Sequence, residues 1–66
     1  MKVGNLVRLK NKINHELGIY PSGIIGIVVR TKEPSPRHPG AYADVSFKRG
    51  TITCHWRELE VLSESR

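Results

Sequence analysis

Cysteine is nearly absent from this chain: Cys54 is the only one in 66 residues. A single thiol excludes an intramolecular disulfide and suits a reducing compartment. Aromatic residues are also scarce, with one Trp, two Tyr and one Phe. No apolar run approaches the roughly 20 residues of a membrane-spanning helix. The longest, Ile24-Ile-Gly-Ile-Val-Val29, has the length of a strand. The opening residues, Met1-Lys-Val-Gly-Asn5, lack the apolar stretch of a secretory signal. These shortages lead us to expect a cytoplasmic protein without a membrane span. It should form one domain over residues 1–62, with 63–66 as a frayed tail. A chain this short buries only about 60% of its unfolded surface, so its stability margin is thin.

The groups that catalysis requires are missing as well. There is no phosphate-cradling Walker loop and no dinucleotide-binding glycine pattern. The carboxylates Glu16, Glu33, Asp44 and Glu58 are scattered, with no pair at a recognisable spacing. Cys54 and His55 are neighbours, but on a strand they point to opposite faces and cannot act as nucleophile and base. Cys54 falls in phase with Ile52 and Trp56, which marks it as a structural thiol. His15, His38, His55 and Cys54 lack the close spacing of a structural zinc site. The expectation is a protein that is not an enzyme and needs no metal or cofactor.

What the chain does contain is alternation. In Val3-Gly-Asn-Leu-Val-Arg-Leu9 a Gly4-Asn5 turn enters a first strand, with Val7 and Leu9 alternating with Arg8 and Lys10. Residues 10–23 read as a loop broken by Asn11, Asn14, Gly18, Pro21 and Gly23, with one helical turn allowed by Ile13 and Leu17. Gly23 to Thr31 is the strongest strand signal. Its unbroken apolarity suggests burial on both faces, or a strand bent to serve two halves of a barrel, with Gly26 as the place for that bend or for a bulge. Pro34, Pro36 and Pro39 make residues 32–40 a stiff exposed loop. Ala43, Val45 and Phe47 alternate with polar neighbours, as do Ile52, Cys54 and Trp56. Between them Lys48-Arg49-Gly50 supplies a tight hairpin. Arg57-Glu-Leu59 looks like one 3-10 turn before a last strand, Glu60-Val-Leu62, and Arg57 is expected to pair locally with Glu58 or Glu60.

The order of these pieces resembles the SH3-like small β-barrel. The resemblance rests on Val3-Gly-Asn-Leu-Val-Arg-Leu9, Gly23-Ile-Ile-Gly-Ile-Val-Val29, Val45-Ser-Phe47 and Trp56-Arg-Glu-Leu-Glu-Val61. It implies an all-β fold: a single five-stranded antiparallel barrel with one 3-10 turn before the last strand. The Gly-x-x-Gly-Ile-Val-Val run is similar to the KOW element of ribosomal and transcription-associated proteins, which bind RNA or proteins. The opening Val-Gly-Asn-Leu-Val and closing Glu-Leu-Glu-Val-Leu resemble short uncharacterised proteins of tailed bacteriophages. A similar layout occurs in small SH3-like subunits that dock on photosynthetic electron-transport complexes. The superfold serves many functions, so it assigns no residue here.

Charge is the remaining lead. The net charge is +5, and residues 1–57 hold ten basic residues against three acidic ones, a net +7. Such a field suits nucleic acid (RNA or single-stranded DNA), an anionic membrane surface or an acidic protein surface. The expected contact residues are Arg8, Lys10, Tyr20, Arg30, Tyr42, Lys48, Arg49 and His55, cations for phosphates and rings for stacking on bases. Tyr20 reads equally well as a lid packed on the end of the barrel. The alternative is a protein-docking module, an accessory subunit or a small phage protein. It would use an open sheet edge, the proline loop and exposed apolar residues such as Leu6 and Ile19.

Overall fold

Seven strands make up the computed structural model, which describes residues 1–16, 18–37 and 39–63, and alternation of apolar and polar residues is clearest in the longer ones. They are β1 (Leu6–Leu9), β2 (Ile13–His15), β3 (Gly18–Tyr20), β4 (Ile25–Lys32), β5 (Tyr42–Phe47), β6 (Gly50–His55) and β7 (Leu59–Ser63), with a 3-10 turn at Trp56–Glu58. Five strands form one antiparallel sheet in the order β6-β5-β4-β1-β7, and β2 and β3 form a separate two-stranded arm. The all-β expectation holds. The single five-stranded barrel does not. There are seven strands in two sheets, and β6 and β7 remain the edges of an open sheet, not partners that close it.

Alternation sorts the sheet into two faces. Val7 and Leu9, Val28, Ala43, Val45 and Phe47, Ile52 and Cys54, and Leu59 point inward and are buried. Their apolar area leaving water supplies the main stabilising term. Tyr20 joins this core from the arm. The segment before β1 is held as firmly. The Asn5 amide donates to the Lys2 carbonyl (3.1 Å), and the Lys2 amide donates to Asn5 Oδ1 (2.8 Å). Asn5 is the one buried polar residue among those described, and its Oδ1 is satisfied by the Lys2 amide.

Three local expectations are corrected. Residues 10–23 are not a plain loop, because Ile13 pairs with Tyr20, Asn14 with Ile19 and His15 with Gly18. Ile13 therefore lies on a strand and not on a helical turn, and Leu17 falls outside the described residues. Gly26 is not the bulge of β4. The register instead shifts between Val28, opposite Val45, and Arg30, opposite Asp44, leaving Val29 as the extra residue. Without that extra residue strict alternation would turn Arg30 inward; with it, Arg30 returns to the solvent side. The third correction concerns burial: Gly26 and Val28 are buried, but Ile25, Ile27 and Val29 are exposed.

Gly26 has a different task. A Cβ placed there would lie 2.6 Å from Val45 Cγ1, 2.8 Å from Phe47 Cδ1 and 2.8 Å from the Ser46 carbonyl oxygen. The missing side chain lets β5 pack its two large residues directly over β4. The hairpin between β5 and β6 turns at Lys48 and Arg49, and Gly50 resumes the strand at φ +150°, as the sequence predicts. The 3-10 turn starts one residue earlier than expected, and β7 continues through Ser63. Residues 64–66 of the expected tail lie outside the described residues.

Gly26→Ala tests the packing argument by its sign. Replacing glycine by alanine within a strand normally stabilises by roughly 0.5–1 kcal/mol. Here the added methyl meets two core side chains and a backbone carbonyl, so urea denaturation should show a loss of about 1–3 kcal/mol.

Candidate functional site

The outward positions of the five-stranded sheet carry most of the chain's unusual chemistry. Register pairs Leu6 of β1 with Ile27 of β4, and Arg8 with Ile25. Ile25, Ile27 and Val29 follow one another along the solvent side of β4. Leu6, Ile25, Ile27 and Val29 are 39%, 56%, 46% and 48% exposed. Beyond Val29, Arg30 and Lys32 continue along the strand, opposite Asp44 and Tyr42 respectively. The result is a strip of aliphatic side chains that ends in two cations.

At that basic end the side chains converge. The Tyr42 ring meets the His55 ring edge-on, with centroids 5.2 Å apart. A shallow cleft of about 430 Å³ is lined by Lys32, Glu33, Ser35, Gly40, Tyr42 and Thr53. His55 caps the 3-10 turn: its Nδ1 accepts from the Arg57 amide (3.2 Å), while its own amide donates to Glu58 Oε1 (3.1 Å). The indole N–H of Trp56 donates to the Tyr42 carbonyl (2.8 Å), so this half-buried Trp serves as a rim brace.

The eight residues expected to form one contact surface do not form one. Arg8 is engaged by Glu60 across β1 and β7 in a salt bridge. This also corrects the expected local pairing of Arg57, since Glu60 is taken by Arg8 and Glu58 caps the turn. Arg49 turns toward the arm, where its Nη1 donates to the Ile19 carbonyl (2.8 Å). Tyr20, 2% exposed, packs against Phe47 with ring centroids 5.8 Å apart, so of its two readings the packed one is observed. Lys10 is exposed beside a smaller hollow bordered by Arg8, Ser22, Gly23 and Glu60. Lys48 is exposed on the hairpin, six residues from Tyr42 along the chain and thus roughly 20 Å away in an extended strand. Of the eight, Arg30, Tyr42 and His55 share one end of the outer face.

The sequence alone does not single out Ile25, Ile27 and Val29, because β4 is apolar at both parities. The signal was the apolarity itself: a strand with two apolar faces needs two covers, and the domain supplies one.

Cys54 faces the opposite way, into the core. Burial pushes its thiol pKa up to about 11, and the nearby carboxylates of Glu58 and Asp44 add to the rise. It is therefore held as the neutral thiol at neutral pH and is no nucleophile. No group of three or more potential metal ligands occurs among the described residues. His38, one of the ligands weighed from the sequence, lies outside them. No described helix is long and apolar enough to cross a membrane. The chain matches no protein-family model, no curated protein and no solved structure.

Two predictions follow from these side-chain roles. The folded thiol pKa is raised, so its contribution to stability is complete below the ordinary value of 9.0 and is lost as pH rises through about 11. Denaturation from pH 8 to 11 should therefore cost the wild type on the order of 2 kcal/mol more than Cys54→Ala. Arg49→Ala removes the brace on the arm and should lower stability by about 0.5–1.5 kcal/mol. Hydrogen exchange should then quicken at residues 13–20 and remain unchanged in β4 and β5.

Proposed function

We propose that the protein is a non-catalytic docking module that binds a protein partner through the outer face of its five-stranded sheet. One observation carries the reading: Leu6, Ile25, Ile27 and Val29 form a contiguous aliphatic strip on the solvent side of the sheet's central strands. Isolated surface aliphatics are ordinary, but a contiguous patch marks an interaction surface. Leu6 and Ile19 are exposed, as this reading requires of them. We also read the layout as SH3-like. β1 sits between β4 and β7, an arm joins β1 to β4, and a 3-10 turn precedes the closing strand. Small SH3-like subunits that dock on larger complexes have a similar layout, and the likeness assigns no residue.

A second reading has its own support. Arg30 and Lys32 flank the Tyr42–His55 ring pair beside an open cleft. Cations next to an exposed ring suit RNA or single-stranded DNA, with phosphates neutralised and a base stacked. It ranks second because Arg8, Arg49 and Tyr20 are committed to contacts within the fold.

The two readings separate in one pair of variants. Protein docking predicts that Ile27→Lys abolishes co-purification of a stoichiometric protein partner, while the urea midpoint stays within experimental error. Nucleic-acid binding predicts instead that the protein retains labelled single-stranded RNA at low salt and releases it steeply with added salt. It further predicts that Arg30→Glu with Lys32→Glu loses that RNA and Ile27→Lys does not. The second pattern would overturn the proposal.

A further inference from the structure

The turn that carries the chain from β6 into β7 is closed by a histidine, and a histidine is an unusual residue for that task. His55 stands in an extended conformation at the capping position of Trp56–Glu58. Its Nδ1 accepts from the Arg57 amide at 3.2 Å, and its own amide donates to Glu58 Oε1 at 3.1 Å. An Nδ1 that accepts holds no proton, so the ring is neutral and carries its hydrogen on Nε2. Asn, Asp, Ser and Thr, which lead at this position, offer an oxygen that accepts throughout the range from about pH 5 to 8. Imidazole takes up a second proton within that range, and imidazolium has two donors and no acceptor. No rotation of a charged ring can restore the bond to Arg57.

We infer that His55 is an acid-sensitive latch on the passage from β6 to β7: the neutral ring holds the Arg57 amide and closes the turn, and the protonated ring releases it. Several charged or titratable groups stand around the ring. Tyr42 of β5 meets it edge-on, with centroids 5.2 Å apart, and Lys32 of β4 is opposite Tyr42. Asp44 of β5 is opposite Thr53 and accepts from its hydroxyl. Arg57 and Glu58 come from the turn itself. The Glu58 carboxylate, already bonded to the His55 amide, offers the charged ring a new acceptor. The latch thus exchanges a backbone amide for a carboxylate.

The release is local. The Trp56 amide stays on the Ala41 carbonyl (3.0 Å), and the indole N–H stays on the Tyr42 carbonyl (2.8 Å). The Lys10 amide stays on the Glu58 carbonyl (2.8 Å). These bonds involve only backbone groups and the indole, which do not titrate. What loosens is the stretch between the anchors, centred on Arg57. Because β6 and β7 are the opposite edges of the sheet, this stretch sets how the chain passes between them.

The test is nuclear magnetic resonance on the whole protein at pH 8 and pH 5, either end of the imidazole range. Long-range nitrogen–proton correlation reads the tautomer. Hydrogen exchange, corrected for the intrinsic rate at each pH, reads the amides. The expected result at pH 8 is an Nε2–H ring at His55. At pH 5 protection of the Arg57 amide should fall about fivefold, the loss of one hydrogen bond, while amides of β4 and β5 keep theirs. His55→Asn retains an acceptor at the cap and should hold Arg57 equally protected at both pH values, which separates His55 from His15 and His38. His55→Asp supplies the same acceptor should the Asn variant fail to fold. An Nδ1–H ring at pH 8, wild-type Arg57 protection that ignores pH, or a pH response that persists in the capping variant would overturn the latch. Loss of protection across every strand at pH 5 would overturn it too, since acid would then unfold the domain and not open one turn.

Discussion

The close approach of β5 to β4 at Gly26 is the contact on which the rest of the sheet depends. Val45 and Phe47 lie where any side chain at position 26 would have to go. That approach fixes the parity of β4. Gly26 and Val28 turn to the core, and Ile25 and Ile27 must turn to solvent. It also sets the Phe47 ring where Tyr20 of the arm can rest on it. Arg49, one turn beyond Phe47, then reaches the Ile19 carbonyl and ties the arm down a second time. Core packing, arm docking and the outer strip thus follow from one residue that has no side chain.

A domain of this size without a disulfide has little stability to spare. Against that background four half-exposed aliphatic side chains on the central strands are a notable choice. They add nothing to the core and raise the risk of unwanted association. Elsewhere the chain guards its surface. Arg8 and Glu60 neutralise each other across β1 and β7, and His55 and Glu58 close the turn before β7. The bulge at Val29 keeps Arg30 outside the core and delivers it to the end of the strip. The outer face thus sets an apolar centre beside the Arg30–Asp44 cross-strand pair.

Much of the fold was legible in the sequence because period-two alternation is strong where one face is buried. Val7 and Leu9, the run from Ala43 to Phe47, and Ile52 and Cys54 all point as their phase requires. The Lys48–Gly50 hairpin and the 3-10 turn were legible from turn chemistry. The arm was not, since Asn14 and Gly18 read as breakers and its short ladder depends on a tertiary anchor, Tyr20 in the core. The inward face of β4 was not legible either. Ile24 to Val29 is apolar at both parities, and only the glycine contact with β5 decides between them. The candidate site was legible in part: Arg30, Tyr42 and His55 share an end of the outer face, whereas Arg8, Tyr20 and Arg49 were drawn into contacts that depend on long-range register.

The central claim is that the outer face, and not the basic hairpin, meets the partner. Photo-crosslinking in the cells that make the protein tests it most directly, with a benzophenone side chain placed either at position 27 or at position 48. Docking through the strip predicts one discrete protein adduct from position 27. Nucleic-acid adducts from position 48, with position 27 silent, would contradict it.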